Sequence, residues 1–250
     1  MSGHSKWHNI RLRKGKVDAQ RGALFTKISK EIILAAKSGS PDPEANYRLK
    51  MAVEKARANN MPQDNIKRAI GRATGGEAKE IEEMRYEGYG PAGVAVIVDA
   101  ATDNRNRTAS ELRFVFSRNG GTFGETGSVG WMFDAAGVIE IDPQGTGEDE
   151  FTERCLLEGV QDVEYAEPAT VFTDPTALTR TRDSLHTAGL KISDAYLGMR
   201  PKTKIHISGS DDVSAALQFL DALVEHEDVQ RVFSNVEFSD AALESLAAVR

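Results

Sequence analysis

The sequence predicts an α+β multidomain protein, with an N-terminal helical bundle followed by two α+β domains, one of them ferredoxin-like and inserted in the other. Three observations carry this expectation. The hydrophobic period is helical up to Gly76 and becomes strand-like beyond it. Residues 134–204 contain a self-contained β-α-β-β-α-β order, the ferredoxin-like arrangement. Charge also divides along the chain. Residues 1–77 hold sixteen lysines and arginines against seven acids, a net of +9, whereas residues 78–250 carry −16. At 250 residues the chain is long enough for two or three cores. The expected division is a basic arm and three-helix domain at 1–77, an α+β domain at 78–133 plus 205–238, the insert at 134–204 and a tail at 239–250.

Each element has a local reason. Residues 1–17 lack apolar periodicity and read as an extended arm crowded with Lys6, Arg11, Arg13, Lys14 and Lys16. From Asp18 to Lys37, Leu24, Phe25, Ile28, Ile32 and Ala35 form a helical stripe, with Lys27, Lys30 and Lys37 expected opposite. Ser38-Gly39-Ser40 ends that helix, and Asp42-Pro43 reads as the next start, an N-cap followed by proline at the first helical position. Pro62 opens a third helix, which Gly75-Gly76 closes. Strands are expected at Glu80–Gly88 and Gly93–Ala101, joined by a glycine-rich turn. The unbroken run Val94–Val98 suggests a central strand. A helix at Asn104–Arg118 and a strand at Val129–Phe133 follow. Within the insert the expected order is strand 137–142, helix 148–158, strands 162–167 and 170–173, helix 175–188 and strand 192–197. Strand 203–207, helix 211–226 and strand 229–235 are expected to complete the sheet begun at residue 80.

The composition excludes several classes. No run approaches the ~20 apolar residues of a membrane span, and Met1–Lys6 has no apolar segment of a signal peptide. Cys155 is the single cysteine, so no internal disulfide forms. A cytoplasmic chain is the expectation, with no membrane partner.

No reaction is specified. His4 and His8 have i,i+4 spacing, but a zinc site needs three or four ligands, and neither a third histidine nor a cysteine lies near. Gly88–Gly93 lacks the Gly-Lys-Ser/Thr of a phosphate loop and precedes a strand, so it reads as a turn. Ser128 and Cys155 have no visible catalytic partner, and Glu148-Asp149-Glu150 suits a helix start. No enzyme, cofactor, metal or small-molecule substrate is expected. Asp103–Thr108 has two readings, an anion site at a helix N-terminus formed with Arg105 and Arg107, or plain capping by Asp103 or Asn104. Trp7 also has two, stacking on a base or packing back on the bundle.

Several longer motifs bring a resemblance. Gly3-His4-Ser5-Lys6-Trp7, the basic stretch to Lys16, Arg21-Gly22 with Phe25-Thr26-Lys27, and Asn59-Asn60-Met61-Pro62 strongly resemble the YebC family. Tyr86-Glu87-Gly88-Tyr89-Gly90-Pro91, Asp103-Asn104-Arg105-Asn106-Arg107-Thr108 and Gly127-Ser128-Val129 continue the match, which weakens after about residue 135. The resemblance implies a helical N-terminal domain and two α+β domains, one inserted in the other. It also implies a DNA-binding transcriptional regulator. Mitochondrial relatives act as translational activators, and bacterial members have been linked to ribosomes working through proline-rich sequence, which makes ribosomal RNA the alternative partner. The nucleic-acid contacts it implies are Lys6, Arg11, Arg13, Lys14, Lys16, Arg21 and Lys27. Trp7, Arg105 and Arg107 join them from the reading of the residues. Where the family's arm often alternates His, Arg and Lys, this chain has Arg11-Leu12-Arg13-Lys14, which keeps the charge and changes the individual contacts.

Overall fold

Residues 18–75 and 81–239 are described by the computed structural model, with side chains from Gly22 onward. Helix α1 (Asp18–Lys37) begins the described chain, and α2 (Tyr47–Ala58) and α3 (Gln63–Thr74) pack along it. The expected stripe is buried at Ile28, Ile32 and Ala35, but Ile33, Leu34 and Ala36 are buried too. The last two turns of α1 are enclosed because a second body covers the face that periodicity leaves open: Ile81 and Ala101 join the same apolar cluster. Lys27 and Lys30 are therefore not on a solvent face. They bond to residues almost two hundred positions away, at Val224, Glu227 and Asp228.

The start of α2 corrects the sequence reading. Asp42 makes a local turn, its carboxylate accepting from the Glu44 amide at 3.0 Å. Asn46 is the cap, accepting from the Leu49 amide at 3.1 Å. Its amide nitrogen also donates to the carbonyls of Ala35 and Ser40, both at 2.7 Å. One asparagine thus caps α2 and ties off the end of α1, a double role that Asp42 with its acceptor-only carboxylate could not fill. Pro62 does precede α3, and Gly75 follows its end.

The α+β body has a sheet in the order β3-β1-β2-β9, made of β1 (Glu82–Tyr89), β2 (Ala95–Thr102), β3 (Thr122–Phe123) and β9 (Val229–Ser234). All its pairings are antiparallel. The run Val94–Val98 is fully buried because β2 has both faces covered. Val94, Val96 and Val98 pack with helices α4 (Arg105–Arg118) and α7 (Ser210–Glu225), while Ala95 and Ile97 face the other way, with Phe133 and Phe233. The glycine turn after β1 is a packing device. A Cβ on Gly88 would stand 2.4 Å from the Phe116 ring, and one on Gly90 2.5 Å from Phe219.

Two strand expectations fail here. Residues 130–132 form a 3-10 turn, and the strand begins at Phe133 and runs unbroken to Asp142 as β4. Three backbone amides of that turn region are drawn onto the Glu87 carboxylate, which removes them from any ladder. Strand β8 (Ile205–Ile207) does not complete the first sheet. It pairs in parallel with β10 (Val236–Phe238), an element the sequence reading omits, in a separate two-stranded sheet.

The insert follows its expected order through β4, α5 (Glu148–Cys155), β5 (Val160–Glu164), β6 (Ala169–Thr173), α6 (Leu178–Thr187) and β7 (Lys191–Pro201). The antiparallel sheet order β5-β6-β4-β7 is the ferredoxin-like one. One face carries the helices and a core including Ile139, Phe151, Val171 and Leu185. The other presents Val138, Phe172 and Tyr196 toward the first body.

Where the three parts meet, half-buried charges pair with one another. Arg231 on β9 donates to Asp194 on β7 at 3.0 Å and to Glu31 on α1 at 3.4 Å. Lys55 on α2 reaches Glu31 at 3.0 Å and Asp194 at 3.5 Å. The Arg231 guanidinium also lies 3.8 Å from the centroid of Tyr196, whose hydroxyl donates to Glu140 at 3.0 Å. Burial pushes the carboxyls of Glu31 and Asp194 up, but Lys55 and Arg231 outweigh it and hold both below the usual range. Glu140 moves the other way, raised by burial and by Asp194. Three carboxylates face two cations, and Glu140 is the one whose pKa is raised.

Breaking a fully buried pair costs about 3–5 kcal/mol; these side chains are only half-buried and Lys55 still faces both carboxylates, so the cost here is about 1–3 kcal/mol. Arg231→Met is therefore expected to lower unfolding free energy by about that amount, read from urea denaturation. The double variant Arg231→Met/Asp194→Leu should recover part of it. No recovery would mean that the pair is not the source of the loss.

Candidate nucleic-acid interface

A surface for a phosphate backbone needs cations that the protein does not itself neutralise. The N-terminal helices supply them. Arg57 at the end of α2, with Lys67, Arg68 and Arg72 along α3, are exposed. Among the described residues no carboxylate lies within ion-pairing distance of these four. The spacing explains it: α3 turns Ile66 and Ala69 inward, which leaves Lys67, Arg68 and Arg72 outward.

The sequence-derived site residues fall into three groups. Lys6, Trp7, Arg11, Arg13, Lys14 and Lys16 lie outside the described residues, and Arg21 lies on α1 with its side chain outside them. Lys27 donates to the Val224 carbonyl at the end of α7, so it fastens the bundle to the body. Arg105 and Arg107 part company. Arg105 is exposed and lies 3.4 Å from Glu82, whereas Arg107 is turned inward onto Asp228 at 2.9 Å.

Asp228 is the centre of that inward arrangement. Its carboxylate is fully buried and accepts from Lys30, from the Arg107 guanidinium at 2.9 Å and from the Thr108 hydroxyl at 2.6 Å. Burial alone would raise its pKa, yet these three donors bring it down to about 2. The Asp103–Thr108 segment is accordingly a cap and an internal clamp. Asn104 accepts from the Arg107 amide at 3.1 Å, and Arg107 is spent on Asp228. That side of the helix start is closed to an external anion.

Glu111, His226 and Asp228 are close enough together to suggest a metal site. Their bonding argues otherwise. His226 Nδ1 accepts from the Asp228 amide at 3.1 Å, which leaves Nε2 as the protonated nitrogen facing Glu111 at 3.1 Å. The ring then offers a cation no lone pair, and Asp228 is already neutralised by Lys30 and Arg107.

A second buried carboxylate organises the loop before β4. Glu87 accepts from the amides of Gly127 at 2.9 Å, Val129 at 2.8 Å and Gly130 at 2.6 Å. Burial raises its pKa, but these amides and the nearby Arg85 together lower it. Two motifs of the sequence reading, Tyr86–Pro91 and Gly127–Val129, are thus the two halves of one contact. Asp228, Glu87 and the junction acids are the residues that sequence reasoning missed. Neither spacing nor composition marks them, because each partner lies tens to hundreds of positions away.

The clamp makes a pH prediction. The folded pKa of Asp228 lies below its unfolded value, so its stabilisation is complete above the unfolded pKa of about 3.9 and is lost as pH falls toward 2. Asp228→Asn should remove that acid-dependent component, making stability between about pH 4 and 2 flatter than in the wild type. Acid titration of unfolding free energy checks it, and parallel curves would contradict it. Glu87→Gln should cost about 1.5–3 kcal/mol, the scale for hydrogen bonds to a charged group, measured by the same denaturation.

Comparison with known proteins agrees with this architecture. Residues 5–76 match the model of the TACO1/YebC protein N-terminal domain, and residues 81–236 that of the TACO1/YebC second and third domain. A "Probable transcriptional regulatory protein" of Herpetosiphon aurantiacus is 50% identical over 253 residues, covering 99% of each chain. A protein of the same description from Moorella thermoacetica is 47% identical, over 98% of this chain and 99% of its own. The crystal structure of a conserved hypothetical protein from Aquifex aeolicus superposes with a TM-score of 0.84 at 41% identity, covering 91% of this chain and 95% of that one. With its three parts in the same order and matches running through all of them, the chain belongs to the TACO1/YebC family.

Proposed function

We propose that this protein is a nucleic-acid-binding regulator of transcription that grips DNA through its basic N-terminal arm and helical unit, without catalysing a reaction. The observation that carries the reading is how the cations are divided. Lys27, Lys30 and Lys55 face the rest of the molecule and are spent on holding it together. Arg57, Lys67, Arg68 and Arg72 face solvent and have no carboxylate beside them among the described residues. The arm adds Lys6, Arg11, Arg13, Lys14 and Lys16 at the same end of the chain, and Arg21 begins the first helix. Beyond residue 77 the chain carries −16, which repels a polyanion and confines it to the basic end. The names of the relatives, probable transcriptional regulatory proteins, support the regulatory part of the reading.

Ribosomal RNA is the second reading, favoured by Trp7. An aromatic ring in a lysine-rich arm has unpaired bases to stack on in folded RNA, and few in an intact duplex.

Deletion of residues 1–17 should lower affinity for duplex DNA while leaving the melting temperature nearly unchanged. Replacing Lys6, Arg11, Arg13 and Lys14 by Gln should flatten the dependence of log affinity on log salt. The change is about 0.9 for each phosphate no longer neutralised on a duplex and about 0.7 on single strands. Fluorescence anisotropy over a salt series measures both. An undiminished affinity or an unchanged slope would move the site away from the arm. Trp7→Ala separates the partners. A loss of about 1–3 kcal/mol on ribosomal RNA fragments with little change on duplex DNA would favour the translational reading.

A further inference from the structure

The acidic part of the molecule contains one face that does not fit its charge. Thirteen lysines and arginines lie between residues 81 and 239, and ten of them stand within ion-pairing distance of a carboxylate. Among the described residues Arg113, Arg118 and Arg154 do not. Two of these three lie on α4, and the face they share is exposed throughout: Asn106, Ser110, Arg113, Phe114, Ser117 and Arg118. One acid borders it: Glu111 is exposed on the same stripe as Phe114 and Arg118, and its carboxylate is engaged by Arg107 and His226.

Rings take the place that carboxylates take elsewhere. The Arg113 guanidinium sits 5.0 Å from the centroid of Phe123, which is itself edge-on to the buried Phe116. Arg118 stands 6.0 Å from the centroid of Phe114. A ring orients a guanidinium without cancelling its charge, so both arginines remain available to an anion. Phe114 is 63% exposed on a regular helix whose opposite face, Leu112 and Phe116, is fixed in the core. The ring is therefore presented from a rigid support.

We propose that this face of α4 is a second nucleic-acid contact, and that it takes a single-stranded segment. Arg113 and Arg118 bind successive phosphates, Asn106, Ser110 and Ser117 supply hydrogen bonds to the backbone, and Phe114 stacks on one unpaired base. The inference rests on the nucleic-acid reading above and extends it beyond the N-terminal unit. A bound strand is complementary to this face in charge and in its exposed aromatic group, whereas a duplex keeps its bases stacked on one another and has none to offer Phe114. The position of α4 is also suitable. The Lys30–Asp228–Arg107 clamp fastens its N-terminal turn to α1 of the basic unit.

The test uses the full-length chain with a fluorescein-labelled oligothymidylate and a mixed-sequence duplex, read by anisotropy at one fixed salt and then over a salt series. Phe114→Ala should weaken single-strand binding by about 5-fold to 150-fold, the range for removal of one base–aromatic stack, and duplex binding far less. Phe114→Trp should retain it. Arg113→Gln/Arg118→Gln should reduce the single-strand salt slope by about 0.7 for each phosphate no longer neutralised. All these side chains are exposed, so melting temperatures should match the wild type. Variants that bind the single strand as the wild type does would overturn the proposal alone and leave the face to a protein partner. Equal losses on strand and duplex would overturn the stacking role. A wild-type chain that binds neither probe would overturn the underlying reading and this one with it.

Discussion

Arg231 is half-buried between Asp194, Glu31 and the ring of Tyr196, and its guanidinium is satisfied there by those two carboxylates. Arginine and partners together come from three separate parts of the fold: Glu31 from α1 of the helical unit, Asp194 and Tyr196 from β7 of the insert, and Arg231 from β9 of the body. Lys55 on α2 closes the ring by contacting the same two acids. Displacing any one part would strand charges belonging to the other two. The junction thus fixes the relative placement of the three units together with the apolar contacts of Ile81 and Ala101 on the helical unit and of Phe233 with Tyr196. It also explains why α1 is buried on all sides at Ile32–Ala36. The helix must lie against the body for Glu31 to reach Arg231.

The second clamp, at Asp228, works on the same principle and bears on function. Lys30 and Arg107 both converge on one buried carboxylate, which removes two cations from the surface while joining the helical unit to α4. Charge in this protein is sorted by location. Cations at the seams are neutralised and structural, most of those within the insert are paired locally, and a smaller set on other helices is left without a carboxylate. Among the described residues the unpaired ones include Arg57, Lys67, Arg68 and Arg72 on the helices of the N-terminal unit and Arg113 and Arg118 on α4. Such sorting gives a polyanion a defined approach without requiring a shaped pocket. Glu87 contributes by fixing the Gly127–Gly130 loop internally, so three amides that resemble an anion nest are already occupied.

Much of the fold is legible in the sequence because local physics decides it. The Val94–Val98 run reports a strand covered on both faces, and the insert's element order fixes a sheet whose edges and helices follow. What sequence reasoning misses is set by partners distant along the chain. Asp42-Pro43 has the form of a helix start, yet Asn46 wins because it can accept from α2 and donate to the end of α1 at once. The strand at 205–207 pairs with β10 because the bend at Asn235 turns the chain after β9: the Asn235 side chain accepts from the Ala95 amide, and its carbonyl accepts from Ile205. The candidate site divides in the same way. The basic character of the N-terminal unit can be read from composition, but the fate of each cation cannot. Lys27 and Arg107 look like Arg68 and Arg72 in sequence, and only the structure shows that the first two are spent.

Native-state hydrogen exchange tests the central claim most directly, because it reports whether the helical unit opens by itself. If the junction binds the units into one cooperative body, the amides of Ile32–Ala36 in α1 and of Val96–Val98 in β2 will exchange with the same free energy, and both will fall together in Arg231→Met. Exchange of α1 through a separate opening of lower free energy in the wild type, with β2 still protected, would contradict the account.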